Sequence, residues 1–143
     1  MNSKRMESGI RMKIIRELTG DYTINNAKDV YKYLEEFKNQ DREHFIVIGL
    51  DSKNKPCYRE IVHIGTLNKT VIHPREVFKK AIMMSSNSLI IAHNHPSGDT
   101  APSQEDIKVT NDLKKCGEIL QINLLDHIII GKDSYKSIID EVE

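Results

Sequence analysis

Ser88-Leu-Ile-Ile-Ala92-His93-Asn94-His95-Pro96-Ser97-Gly98-Asp99-Thr-Ala-Pro102-Ser103-Gln104-Glu105-Asp106 is the stretch around which the rest of this chain is organised. Leu89, Ile90 and Ile91 form a short apolar run of the kind that makes a buried strand. His93 and His95 stand two apart, so on extended backbone their side chains leave from the same side. Pro96 pushes His95 towards that extended backbone. Ser97-Gly98-Asp99 and Pro102 mark a turn and a rigid re-entry into the next element. Ser103 is then placed to cap a helix, with Asp106 three residues on. Two imidazoles and one carboxylate are the three protein ligands of a catalytic zinc site with its fourth position open to water. Each half of the pattern also has a plainer reading. Ser103-x-x-Asp106 is a capping box, and His-x-His occurs in ordinary surface loops. The joint pattern, His-x-His-Pro followed by Pro-Ser-x-x-Asp, is what points to a metal.

Working outward, Phe45 to Leu50 is a continuous apolar run and reads as a central strand. Asp51 to Lys55 is a polar turn, and Cys57 to Thr66 reads as the antiparallel partner in a hairpin. Pro74 fits the first turn of a helix that runs to about Met84 and buries Val77, Phe78, Ala81 and Ile82. The helix from Ser103 is expected to bury Ile107, Val109 or Thr110, and Leu113, and to stop at Gly117. Ile119 to Leu124 and His127 to Ile130 are two further strand candidates, and the tail from Ser134 is a short strand or helix. Before the strands, the first nine residues look poorly ordered. Ile10, Ile14, Ile15 and Leu18 repeat at helical spacing, with Gly20 as a stop. Asn25 or Asn26 caps a second helix carrying Val30, Tyr31, Leu34 and Phe37. These elements predict an α/β (α+β) fold, a mixed central sheet flanked by helices.

The surrounding words carry a resemblance. His93-x-His95, seven residues, then Ser103-x-x-Asp106 matches the signature of the JAB/JAMM metalloprotease superfamily. "GTLNKTVIHPREVFKKAI", "IIAHNHPSGDTAPSQED" and "LLDHIIIG" resemble the RadC family of bacterial proteins, over about Arg42 to Gly131. The resemblance implies a JAB-type fold, a zinc ion on His93, His95 and Asp106, a supporting Ser103, and a peptide or isopeptide amide as the bond cleaved. It divides the chain into an N-terminal helical extension, 1–40, and a RadC-type JAB/JAMM domain, 41–143. Longer RadC proteins carry an N-terminal helix-hairpin-helix region, for which the segment before Asp41 is too short.

Such a site needs a general base, a carboxylate that takes and relays a proton. Glu43 stands at the entrance to the Phe45–Leu50 strand, where its side chain can face a cleft, and it matches the Glu that precedes the first core strand in the superfamily. Glu60, in the middle of the second strand beside Tyr58 and Val62, is the alternative. The preferred assignment gives Glu43 the base role and lets the Ser103 hydroxyl hold a developing oxyanion. Asp99 lies in the same loop, but its spacing makes it the weaker ligand. His44, His63 and His73 read as strand or helix-entry residues. His127 is either a plain strand histidine or a support for a ligand. Arg75 and Glu76 read as surface charges.

Composition limits the remaining classes. The chain has 143 residues, enough for one domain with a real core, and 21 basic and 21 acidic residues cancel. The RadC name suggests an alternative, a DNA-repair-associated protein, but the missing basic excess offers that reading no support. A closed structural zinc site would want a fourth Cys or His ligand, and Cys57 and Cys116 have no metal spacing. A binding module that has lost catalysis is at odds with the full ligand set. No apolar run approaches twenty residues and no secretory segment is visible, so the expectation is a soluble, cytoplasmic protein acting on a protein or peptide, away from membranes. Oligomeric state is not encoded in any motif.

Overall fold

The computed structural model of the chain describes residues 22–141, so the expected helix from Ile10 to Leu18 and the nine leading residues lie outside the described residues. In chain order the elements are α1 (Ala27–Tyr33), a 3-10 turn (Glu35–Phe37), β1 (His44–Leu50), β2 (Pro56–Ile64), α2 (Pro74–Met83), β3 (Ser88–Asn94), α3 (Gln104–Leu120), β4 (Asn123–Ile130), β5 (Tyr135–Ser137) and a 3-10 turn (Ile139–Glu141). The five strands form one sheet in the order β2-β1-β3-β4-β5. β1 pairs antiparallel with β2 and β3, β4 antiparallel with β5, and β3 parallel with β4. That single parallel pair needs a crossover, and α3 supplies it. The result is the mixed sheet flanked by helices that the sequence predicts.

β3 is buried along its whole length, which explains its uninterrupted apolar run. Leu89 and Ile91 face one core with Phe45, Val47, Val77, Phe78, Ala81, Val109 and Leu113, the side of α2 and α3. Ile90 and Ala92 face a second core with Ile46, Ile48, Ile128 and Ile130. Ile24, Val30, Leu34 and Phe37, from the segment assigned to the N-terminal extension, close that second core. Strand alternation carries His93 onto the same face as Leu89 and Ile91, under α3. Of the two cap candidates for α1, Asn26 is the one used, its side chain accepting from the Asp29 N–H.

Several expected boundaries shift for physical reasons. Helix α3 does not stop at Gly117. It runs three residues further and ends at Gln121, whose φ of 59° provides the left-handed cap. Gly117 instead lets the helix approach β4, because a Cβ there would stand 2.6 Å from the Ile122 carbonyl oxygen. Ile119 and Leu120 therefore belong to the last helical turn, and the two expected strands are one, Asn123–Ile130. Ile82 is not buried but 56% exposed, opening on a groove between α2 and α3 with Phe78, Cys116 and Ile119. β2 ends at Ile64 because Gly65 turns away with a φ of 124°. The tail resolves into both alternatives, β5 and then a 3-10 turn. Cys57 and Cys116 form no disulfide.

Candidate metal centre

His93 lies at the end of β3, and the Asn94 position closes the strand. His95 is past the strand yet still in extended alignment, because its N–H donates to the Ile130 carbonyl of β4 at 3.0 Å. The chain then folds back at once. The Gly98 N–H donates to the His95 carbonyl at 2.9 Å, and Gly98 takes a φ of 84° that a side chain would strain. The two imidazoles thus leave the backbone on the same side, with their Nε2 atoms 2.8 Å apart.

Helix α3 brings the carboxylate. Ser103 caps it, accepting from the Asp106 N–H at 3.0 Å, while the Ser103 N–H donates to Asp106 Oδ2 at 2.8 Å. The capping box is real, and it is also what aims the carboxylate. Asp106 Oδ1 lies 3.2 Å from His93 Nε2, and Oδ2 lies 3.2 Å from His95 Nε2. Among the described residues, His93, His95 and Asp106 are the cluster able to hold a metal ion, with one ligand atom from each within 4.8 Å of the others.

The geometry of this set fits zinc. Ligand atoms about 2.0–2.1 Å from a tetrahedral ion stand roughly 3.3 Å from one another. Each imidazole stands close to that distance from one carboxylate oxygen, His93 Nε2 from Oδ1 and His95 Nε2 from Oδ2, and the pair of imidazoles is tighter. The side chains of His93 and Asp106 are 1% and 3% exposed, whereas His95 is 14% exposed. Access to the cluster is therefore from the His95 side. Burial alone would raise the Asp106 carboxyl, but hydrogen bonds from His93 and His95 and the Ser103 N–H hold it well below the usual range. The His95 imidazole is raised, chiefly by its hydrogen bond to Asp106, and more weakly by the Glu43 charge.

Each imidazole is also held from behind. His95 Nδ1 donates to the Asp99 carbonyl at 2.7 Å, which leaves Nε2 as the nitrogen that could coordinate a metal. Asp99 contributes only that carbonyl, since its carboxylate accepts from the Ala101 N–H at 2.9 Å. His93 Nδ1 meets His127 Nε2 at 2.6 Å, and His127 Nδ1 meets the Thr110 hydroxyl at 2.5 Å. Of its two sequence readings, His127 takes the one beside a ligand. The sequence gives Asn94 no role and Thr110 only a place on the buried face of its helix, which it takes at 0% exposed. Asn94 is 1% exposed, accepts from the His44 N–H at 2.7 Å and donates to the Arg42 carbonyl at 2.9 Å. It ties the segment around Glu43 to the strand carrying the histidines. Its position between His93 and His95 was the available signal. Thr110 had only its spacing from Asp106, one helical turn on.

Glu43 immediately precedes β1. The β1–β3 pairing sets Phe45 against His93, and continuing that register two residues puts Glu43 opposite His95. Its carboxylate accepts from the Leu67 N–H at 2.9 Å, so it is drawn into the β2–α2 loop above the same core. Glu60 pairs with Val47, two rows down the sheet and on the edge strand. His63 pairs with Phe45 on β2, and His73 precedes α2 without a side-chain capping bond. The His44 ring turns to its own loop, where Nδ1 donates to the Arg42 carbonyl at 2.9 Å. Arg75 and Glu76 pair loosely at 3.9 Å on the surface of α2.

Among the described residues no helix is long and apolar enough to cross a membrane. The RadC-like JAB domain matches residues 24–142. A UPF0758 protein of Staphylococcus haemolyticus is 49% identical over 136 residues, covering 94% of this chain and 59% of the relative. One from Bacillus cereus is 46% identical over 92% of this chain and 59% of its own length. One from Methanosarcina mazei is 51% identical over 82% of this chain and 52% of its own length. The chain thus spans between half and three-fifths of the curated relatives it matches, whose names state no activity. With a family match over most of its length and the His-His-Asp cluster in place, the chain belongs to the RadC-like JAB domain family.

Proposed function

We propose that this domain is a zinc-dependent hydrolase of the JAMM type that cleaves a peptide or isopeptide amide bond. The observation that carries the reading is the meeting of His93 Nε2, His95 Nε2 and the Asp106 carboxylate at one point, open on the His95 side. Three protein ligands with one open direction are the arrangement of a catalytic rather than a structural zinc site. A zinc ion held there would bring the pKa of water towards neutrality and polarise a carbonyl oxygen.

The chain's own groups supply the rest. Glu43 accepts the proton of the attacking water and delivers it to the leaving amine. Its hydrogen bond to the Leu67 N–H holds one carboxylate oxygen and so orients the other. The Ser103 hydroxyl accepts from the Asp106 N–H, and its own proton is free to donate to the oxyanion that forms at the substrate carbonyl. Asn94 keeps the Glu43 segment aligned with the ligand strand.

The test is metal analysis joined to hydrolysis of fluorogenic peptides and an isopeptide-linked pair. Wild type should carry about one zinc per chain and cleave one of these amides in a chelator-sensitive way. His95→Ala should lose both properties. A zinc-loaded wild type no more active than His95→Ala would refute the hydrolase, and full zinc in the double variant His93→Ala, His95→Ala would refute the site. Titration against DNA at two salt concentrations tests the competing reading, since phosphate binding must weaken steeply with salt.

A further inference from the structure

We propose that Thr110 and His127 are positioning residues: a hydrogen-bond relay running from the Asp106 carbonyl through the Thr110 hydroxyl and His127 to His93 holds His93 with Nδ1 protonated and Nε2 bare for the metal. The inference rests on the metal-site reading above, and it concerns two residues outside the ligand set.

The direction of the relay follows from counting protons. The Thr110 hydroxyl has one proton, and it lies 2.6 Å from the Asp106 carbonyl oxygen, an acceptor only. Two oxygens that close need that proton between them. Thr110 Oγ1 must then accept from its other neighbour, His127 Nδ1, at 2.5 Å. His127 therefore carries its proton on Nδ1. A neutral imidazole has one N–H, so His127 Nε2 is an acceptor. Its neighbour at 2.6 Å, His93 Nδ1, must be the donor. In the neutral ring that a metal requires, His93 then has no proton on Nε2, the nitrogen that faces Asp106 and His95. Reversing any single bond would set two donors or two acceptors against each other in a site without solvent. His127 and Thr110 are both 0% exposed, so water cannot absorb the mismatch. The buried His127 ring meets the Thr110 hydroxyl, His93 and Phe45, surroundings that accommodate a neutral imidazole.

The fold takes a specific step to put His127 there. β3 and β4 pair Leu89 with Leu124 but Ile90 with Asp126, so Leu125 is an extra residue in the ladder. The insertion changes the alternation of β4 by one. His127 is thereby turned to the α3 face, opposite Ile91, where its ring centroid lies 4.7 Å from that of His93. Asp126 is turned away from it and accepts from the Ser137 hydroxyl of β5 at 2.7 Å. Phe45 packs edge-on against the His127 ring, with centroids 6.1 Å apart, and closes the remaining side. Thr110 follows Asp106 by one helical turn, so the ligand and the anchor of the relay ride on the same helix.

Two measurements test the relay. In zinc-loaded wild type with 15N-labelled histidine, long-range proton–nitrogen correlation should show His127 protonated at Nδ1 and bare at Nε2. His127 protonated at Nε2 would overturn the proposal without touching the metal site. In the second, zinc affinity is read by competition with a chromophoric chelator for Thr110→Val and Thr110→Ser. Val keeps the shape and loses the hydroxyl; Ser keeps the hydroxyl and loses the methyl. The Val variant should lose roughly 10–100-fold in affinity, the scale of removing a partner behind a metal ligand, while the Ser variant binds as wild type. Wild-type affinity in the Val variant, or an equal loss in both, would show that Thr110 acts through packing alone and overturn the relay. Wild type that takes up no zinc would overturn the metal reading together with this one.

Discussion

Asp106→Asn separates the two roles that one carboxylate plays. Asp106 is 2% exposed and accepts from three nitrogens: the Ser103 N–H at 2.8 Å, and His93 and His95 Nε2 at 3.2 Å each. Asn has the same shape, and its amide oxygen can keep the capping bond to Ser103 while its NH2 turns to an imidazole. The helix start should therefore survive. What is lost in the metal-free protein is charge assistance on the bonds retained. Bonds to charged groups contribute about 1.5–3 kcal/mol and neutral ones about 0.5–1.5, so the loss is about 1–2 kcal/mol in all. Zinc binding should suffer far more, because the only anionic ligand has become a partial donor. For wild type, free zinc at a hundred times Kd stabilises by about 2.7 kcal/mol. For a chain of 143 residues, about 3 °C of Tm accompanies each kcal/mol, so zinc should raise Tm by about 8 °C. Calorimetry with and without zinc should find the Asn variant about 3–6 °C below wild type when both are metal-free, and unmoved by zinc. An Asn variant that keeps the full zinc shift would falsify the ligand role of Asp106. One that fails to fold would show that the capping box cannot tolerate an amide.

Four further outcomes are expected. Glu43→Gln should keep zinc at the wild-type level while amide hydrolysis drops by a factor of about a hundred or more, and Glu60→Gln should leave turnover nearly intact; the reverse pattern would exchange their roles. The His95 imidazole, raised above its ordinary 6.5 by Asp106, stabilises the metal-free fold in its protonated form. That contribution is fully present below about pH 6.5 and lost as pH rises through the folded value, and since zinc must displace the same proton, zinc affinity should climb over this window; an affinity flat from about pH 6 to 8 would contradict it. Gly117→Ala sets helix propensity, which favours Ala by about 1 kcal/mol, against a Cβ 2.6 Å from the Ile122 oxygen and 3.2 Å from the Leu124 nitrogen. Overpacking against backbone costs about 1–3 kcal/mol, so urea denaturation should show a net loss, and an equal or higher stability would mean the helix does not approach β4 that closely. Finally, chelation should raise hydrogen exchange at the His95–Asp106 loop and the first turn of α3 while β1, β3 and β4 stay protected, and global unfolding on chelation would mark the metal as structural.

Much of the candidate site was legible because its geometry is local. His93 and His95 share a side by strand alternation, and Asp106 is aimed by a capping box whose two halves lie three residues apart. Neither relation depends on anything distant in the chain. Glu43 was legible in part. Its place before β1 can be read from the apolar run that follows, but its standing opposite His95 depends on the β1–β3 register. The errors cluster at the end of α3. A glycine followed by Ile119 and Leu120 reads as a stop and then a strand. Nothing in the sequence tells that Gly117 is there to admit the Ile122 carbonyl, or that Ile119 is left 82% exposed.

By itself, then, the sequence determined the mixed architecture, the hairpin, the helix that starts at Ser103 and the identity of the three candidate ligands. All of these follow from periodicity, punctuation and short spacings, which act within a few residues. Only the tertiary structure decided what stands behind the ligands. His127 lies 34 residues from His93, and Thr110 lies 17 from His127. Their meeting depends on the parallel pairing of β3 with β4 and on the single extra residue at Leu125. One inserted residue reverses which side chains of β4 face the cluster, and the chain has no local preference that reveals where it falls. It is set by the fit of β4 between β3 and α3, a property of packing among elements distant in sequence.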